Sequence, residues 1–171
     1  MLQDRSRHFD EMLWPHLRAA YNFARWLVRN DHDAEDIVQE SFVRALAGLD
    51  GFRGGDARVW LLAIVRNTAI SLLRRRRSEA SPASEETREL VDHAEGIEET
   101  LIAGERRKQV RAAIEQLPGE FREALILREL EGLSYKEIAG VLDVPMGTVM
   151  SRLARARNLL MRELIALKGA Q

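Results

Sequence analysis

Residues 133–157 read LSYKEIAGVLDVPMGTVMSRLARAR, and this stretch decides the fold of the carboxy-terminal part of the chain. Ser134 and Glu137 stand three apart at the head of an apolar-periodic run. That is the spacing of a capping box, in which hydroxyl and carboxylate each satisfy an orphan backbone amide. The helix starting there has Tyr135, Ile138, Ala139 and Leu142 on its inner face and ends around Asp143-Val144-Pro145, because proline cannot continue a helix. From about Gly147 a last helix follows, with Val149, Leu153, Ala156 and Leu160 at helical spacing along its buried face. Small Ala139 at the crossing, Asp143 in the turn and branched Val149 as anchor complete a helix-turn-helix outline. The opposite face presents Met150, Ser151, Ala154 and Arg155, with Arg152 and Arg157 at its margins, which suits a major groove flanked by phosphates. Backbone amides at Gly147 and Thr148 open the same helix and suit a phosphate. Any one of these arginines also suits a solvated amphipathic helix; the combination of box, small residue, turn and basic helix favours DNA.

Working outward, Val110, Ala113, Ile114 and Leu117 form an apolar stripe that stops at Pro118-Gly119, and a further helix is expected from Phe121 to Glu131. Upstream, residues 78–86 hold Ser, Ala, Pro and Glu with no large apolar side chain, the composition of a linker. The amino-terminal part reads as helical throughout. Phe9, Met12, Leu13, Leu17 and Tyr21 recur near helical period, with Pro15 expected to kink the first helix, and Val38, Phe42, Ala45 and Leu46 recur likewise. A Gly-rich loop, residues 48–55, leads to a third helical segment, from Asp56 to about Arg77, in which Trp60, Ile64 and Thr68 share a face. The expected fold is all-α: a helical domain over 1–77, a linker over 78–104 and a helix-turn-helix domain over 105–171.

A net charge of -1 over 171 residues conceals an uneven distribution. Residues 78–104 carry eight acids against Arg88 alone, a net -7, which leaves +6 for the remainder. The positive charge gathers at Arg66 with Arg74, Arg75, Arg76 and Arg77, and again from Arg152 to Lys168. There is no cysteine, so disulfides and thiolate-bound zinc are excluded, and the four histidines never pair at metal-binding spacing. The longest apolar run, Val59 to Val65, is too short to span a bilayer, and no signal-peptide pattern opens the chain. A cytoplasmic protein without metal, cofactor or catalytic site is expected; no phosphate-binding glycine motif or Ser/His/Asp arrangement suggests an enzyme.

Four stretches in order resemble one family. Residues 133–157 resemble region 4.2 of the extracytoplasmic-function (ECF) sigma factors, members of the sigma-70 family. DHDAEDIVQESFVRAL (31–46) is similar to region 2.2, ARVWLLAIVRNTAISLLRRRR (57–77) to regions 2.3 and 2.4, and LPGEFREALILRELEGLS (117–134) to region 4.1. The resemblance implies a protein that lends promoter specificity to core RNA polymerase. On that basis Asp33, Asp36, Gln39, Glu40 and Phe42 are candidate contacts to the polymerase clamp, although Asp33 also suits a helix cap. Phe52, Arg53, Trp60, Arg66 and Asn67 are candidates for opening the -10 element, where an extruded base needs an aromatic platform and nearby positive charge. The spacing of Trp60 to Ile64 faces it inward, which favours the core over a direct DNA role. Arg74 to Arg77 are expected on phosphates. The -35 element falls to Met150, Ser151, Ala154 and Arg155. Met150 replaces a residue that is frequently basic in the family and Ala154 a larger one, which leaves the -35 sequence open. The resemblance also implies an anti-sigma factor, often membrane-anchored, and a chain that is monomeric when free. The 27-residue acidic linker reaches ~90 Å extended but averages about 30 Å as a coil. It reads either as a polyanion mimic for the polymerase channel or as a plain spacer. The rival readings are a sigma-like decoy that does not bind DNA, against which the retained arginines argue, and an unrelated helix-turn-helix repressor, which leaves residues 31–46 unexplained.

Overall fold

The structure is a computed structural model that describes residues 1–79 and 101–170; the central part of the acidic linker lies outside the described residues. Every regular element among the described residues is helical. Helices α1 (Leu2–Leu13), α2 (Leu17–Val28), α3 (Asp31–Ala47) and α4 (Ala57–Glu79) form one compact unit. Helices α5 (Leu101–Glu115), α6 (Gly119–Glu129) and α8 (Met146–Gly169) frame the second, with α7 (Tyr135–Leu142) between α6 and α8 in sequence. Both α4 and α5 run into the span expected as linker, by two residues at one end and four at the other.

In the amino-terminal unit α2, α3 and α4 pack against one another in every pairing, and α1 lies on α4. Leu13, Phe23, Val28, Ile37, Leu61, Leu62 and Val65 fill the centre. Buried Ala20, Ala24, Ala34, Ala45 and Ala69 bring the helix axes close. Pro15 does more than kink a helix. Lacking an N–H and clashing with the carbonyl four residues back, it ends α1 at Leu13, and a 3-10 turn over Trp14–His16 leads into α2. Arg29 ends α2 in the left-handed region at φ 56°, and the Asn30 side chain then caps α3 by accepting the Asp33 amide at 3.0 Å. Leu46, expected inward, is 44% exposed, because the buried stripe of α3 runs through Ala34, Ile37, Val38, Ser41 and Ala45. On α4 the buried stripe is Leu61, Leu62, Val65, Thr68 and Ala69, so Trp60 and Ile64 fall at its edge, not in the core.

In the carboxy-terminal unit Leu117, Leu125 and Ala156 are packed by Ile114, Phe121, Leu159 and Leu160. Val149, Leu153 and Ala156 form the buried face of α8, with Leu160 partly covered. Val110, expected in the α5 stripe, is 39% exposed. Arg122 closes α5 by donating to the carbonyls of Ile114, Glu115 and Leu117 at and just past the helix end.

Candidate functional site

The segment leading into α8 has the local chemistry its sequence calls for. Glu137 accepts the Ser134 amide at 2.9 Å and Ser134 Oγ accepts the Glu137 amide at 3.1 Å, so both halves of the capping box are made. Asp143 adopts φ 54°, and the Val144 amide then reaches back to the Ala139 carbonyl at 3.2 Å, a Schellman closure of α7. Pro145 stands before the first turn of α8, and the Thr148 amide donates to its carbonyl at 3.0 Å. The amides that precede the first bond of α8 are therefore those of Met146 and Gly147, one residue earlier than expected.

Along α8 the outward face holds Gly147, Met150, Ser151, Ala154 and Arg155, all exposed, with Thr148 half-buried. Ser151 donates its hydroxyl hydrogen to the Thr148 carbonyl at 3.1 Å, which leaves its oxygen as an acceptor. Two arginines expected at the margins of this face are engaged elsewhere. Arg152 is turned back toward α6, 3.7 Å from Glu120 and 3.9 Å from buried Glu123, with 19% of its side chain exposed. Arg157 donates to Glu129 at 3.1 Å, and its hydrogen bonds to Glu129 and then Tyr135 raise its pKa above the ordinary arginine value. Arg155 is exposed and has no acidic partner among the described residues.

On the amino-terminal unit, α3 carries Asp36, Gln39 and Glu40 on its exposed side. Asp36 and Glu40 border an open groove of about 520 Å³ between α3 and α4, across which Ser71, Leu72 and Arg75 face them. Glu40 accepts from Arg44 at 3.0 Å. Two expected members of this surface make contacts within the unit. Asp33 is 4% exposed, and both its carboxylate oxygens take hydrogen bonds from the Arg76 guanidinium. Phe42 is half-buried in an edge-to-face contact with Phe9, ring centroids 6.1 Å apart. Val43 and Leu46, 64% and 44% exposed, extend the α3 surface and were not among the sequence candidates. Gln39, Val43 and Leu46 are spaced four and three apart, a signal present in the sequence once the buried phase of the helix is known.

Ahead of α4, Gly54 and Gly55 take φ of 88° and 96°, a left-handed stretch that suits glycine. Asp56 caps α4 by accepting the Arg58 and Val59 amides at 2.8 and 3.3 Å. The turn brings Phe52 against Trp60, ring centroids 4.7 Å apart and planes tilted by 39°, and both rings are partly open to solvent. Arg53 and Asn67 are exposed and Arg66 is half-buried. Trp60, Asn67 and Arg74 are seven residues apart, so they share one line along α4 from the aromatic pair to the basic end. There Arg74, Arg75 and Arg77 are exposed. Arg76 is held by Asp33, whose hydrogen bonds raise the Arg76 pKa above its ordinary value. The described residues contain no cluster of three potential metal ligands, and none of their helices is long and apolar enough to cross a membrane.

Comparison with known proteins places both units. Residues 14–79 match Sigma-70 region 2, and residues 107–160 match Sigma-70, region 4. The ECF RNA polymerase sigma-E factor of Salmonella typhimurium is 43% identical over 135 residues, 74% of this chain and 71% of its own length. The ECF RNA polymerase sigma factor SigE of Mycolicibacterium smegmatis is 36% identical over 151 residues, 88% of this chain but 59% of its own length. The fold is similar to that of the sigma factor RpoE of Bartonella quintana, solved with the anti-sigma factor NepR. That match has a TM-score of 0.75 and 29% identity, and covers 92% of this chain and 97% of that one. With both sigma regions matched in order, and a relative sharing two-fifths of its residues over most of its length, this chain belongs to the extracytoplasmic-function sigma factors of the sigma-70 family.

Proposed function

We propose that the chain binds core RNA polymerase and directs it to promoters, engaging the -10 element with its amino-terminal unit and the -35 element with α8. The observation that carries this is a pairing of two surfaces, each within a matched sigma region: an open aromatic pair followed by an arginine-rich helix end on one unit, and a capped helix-turn-helix presenting Arg155 on the other. The exposed side of α3, with Asp36, Gln39, Glu40, Val43 and Leu46, supplies mixed carboxylate and apolar contacts for the polymerase. Phe52 and Trp60 offer a platform on which an unstacked base of the opened strand rests, and Arg53, Asn67, Arg74 and Arg77 follow its backbone. Arg155 is the base-reading candidate on α8, and the Met146 and Gly147 amides suit a phosphate. The sequence and fold shared with a sigma factor solved in an anti-sigma complex support control of this chain by such a protein in the cytoplasm.

Run-off transcription with purified core polymerase and a promoter library tests this reading. Promoter-dependent transcripts are expected only when the chain is present. If the chain fails to associate with core polymerase at mild salt, with no inhibitor bound, the proposal is lost.

A further inference from the structure

We propose that Asp33 and Arg76 form a positioning latch, in which a buried carboxylate on α3 grips the basic end of α4 and aims Arg74 and Arg77 at the DNA backbone. Arg76 itself then touches no phosphate. The four consecutive arginines read as equivalent in sequence, and the structure separates them. Both Arg76 nitrogens of the guanidinium fork donate to the two oxygens of Asp33, 43 residues away. The Asp33 side chain is 5% exposed, while that of Arg76 is 44% exposed. A two-pronged grip of this kind fixes direction as well as distance.

Helical geometry supplies the consequence. At 100° per residue, fixing Arg76 toward α3 turns Arg74 about 160° away from it, and Arg77 lies about 60° from Arg74 on the same outward side. Arg75 falls on the other flank, where it borders the groove with Asp36 and Glu40. The latch acts one turn from the end of α4, where carbonyls lack helical partners and four like charges in a row favour fraying. Its other jaw is rigid too, because Asp33 lies in the first turn of α3 with its amide held by the Asn30 cap. The residues that hold the polymerase-facing helix therefore also hold the DNA-facing one.

The inference rests on the promoter-binding function proposed above, and one experiment separates the two. Full-length protein is bound to core polymerase, and promoter affinity is measured across a salt series for wild type, Arg77→Gln, Arg76→Gln and Asp33→Asn. Loss of one phosphate contact lowers the slope of log affinity against log salt by about 0.7 on an opened strand and about 0.9 on duplex. That drop is expected for Arg77→Gln, with the wild-type slope retained in Arg76→Gln. Asp33→Asn is expected to weaken promoter binding about tenfold at every salt, the cost of re-ordering two long side chains, while core binding stays within twofold. The double variant Asp33→Asn/Arg76→Gln should match the weaker single variant, because the two residues act as one unit. It also leaves no charge buried, so it carries the slope measurement if Arg76→Gln alone does not fold. A slope reduced by about 0.7 to 0.9 in the Arg76 variants, or Asp33→Asn binding promoter as wild type does, overturns the latch. Absence of any promoter binding by the wild-type holoenzyme overturns the functional reading instead.

Discussion

Replacing Arg155 with alanine separates base reading from both charge and fold. The side chain is exposed and unpaired among the described residues, so its removal strands no buried partner. Alanine is also the better helix former by a few tenths of a kcal/mol, and the unfolding free energy is expected to stay within about 0.5 kcal/mol of wild type. Promoter binding should respond very differently. A guanidinium bidentate to guanine discriminates by roughly 1–3 kcal/mol, or about 5- to 150-fold, and all of that falls on one base pair. The assay is equilibrium competition, with core-bound protein, among promoter fragments carrying each base at each -35 position, run at two salt concentrations. The expected result is a preference flattened at a single position and intact at the others. Identical base preference in variant and wild type would refute the assignment. So would a uniform loss at every sequence accompanied by a slope change of about 0.9, which is the signature of a phosphate contact.

Two predictions concern stability. Leu153→Ala, at a side chain 1% exposed on the inner face of α8, should lower unfolding free energy by about 2–5 kcal/mol in denaturant titration; a loss under about 1 kcal/mol would mean that the site collapses around the gap. Asp143→Gly relieves a left-handed residue at φ 54° and should raise stability by a few tenths to about 1 kcal/mol in the same titration; a fall in stability would refute the strain argument.

Features settled within one turn of chain were legible in the sequence. The Ser134–Glu137 box and the turn at Asp143 depend on neighbours three to five residues away, and they formed as their spacing required. The inner face of α8 was legible because its apolar residues are interrupted by polar ones, which sets the phase. The stretch from Val59 to Val65 has no such interruption, so spacing alone placed Trp60 and Ile64 inward when the buried phase runs through Leu61 and Val65. Leu46 was misjudged for a related reason, since the small residues Ala34 and Ser41 carry the true stripe of α3.

Arginine was the hardest residue to read. A long flexible side chain at the edge of a helix swings either way, and only the neighbouring helix decides which. For Arg152 and Arg157 the decisive carboxylates lie on α6, 28 to 32 positions back, and for Arg76 the partner is 43 residues away. No local pattern announces such pairings. Asp33 was hidden for the same reason. Its position in the first turn of α3 suits a cap, a solvated charge or a docking contact, and its burial came from a helix that the sequence places two elements later.

One dimension of the amino-terminal unit follows from the unbroken course of α4 from Ala57 to Glu79. Trp60 and Arg77 are separated by about 26 Å at 1.5 Å per residue, which spans about eight base pairs of duplex. A continuous helix makes that length a fixed gauge: the unit measures from the Phe52–Trp60 pair to Arg77 with no internal play. One inserted residue in α4 would swing the far arginines through about 100° as well as lengthen the gauge. Any tolerance for variable promoter spacing must therefore reside outside this rod.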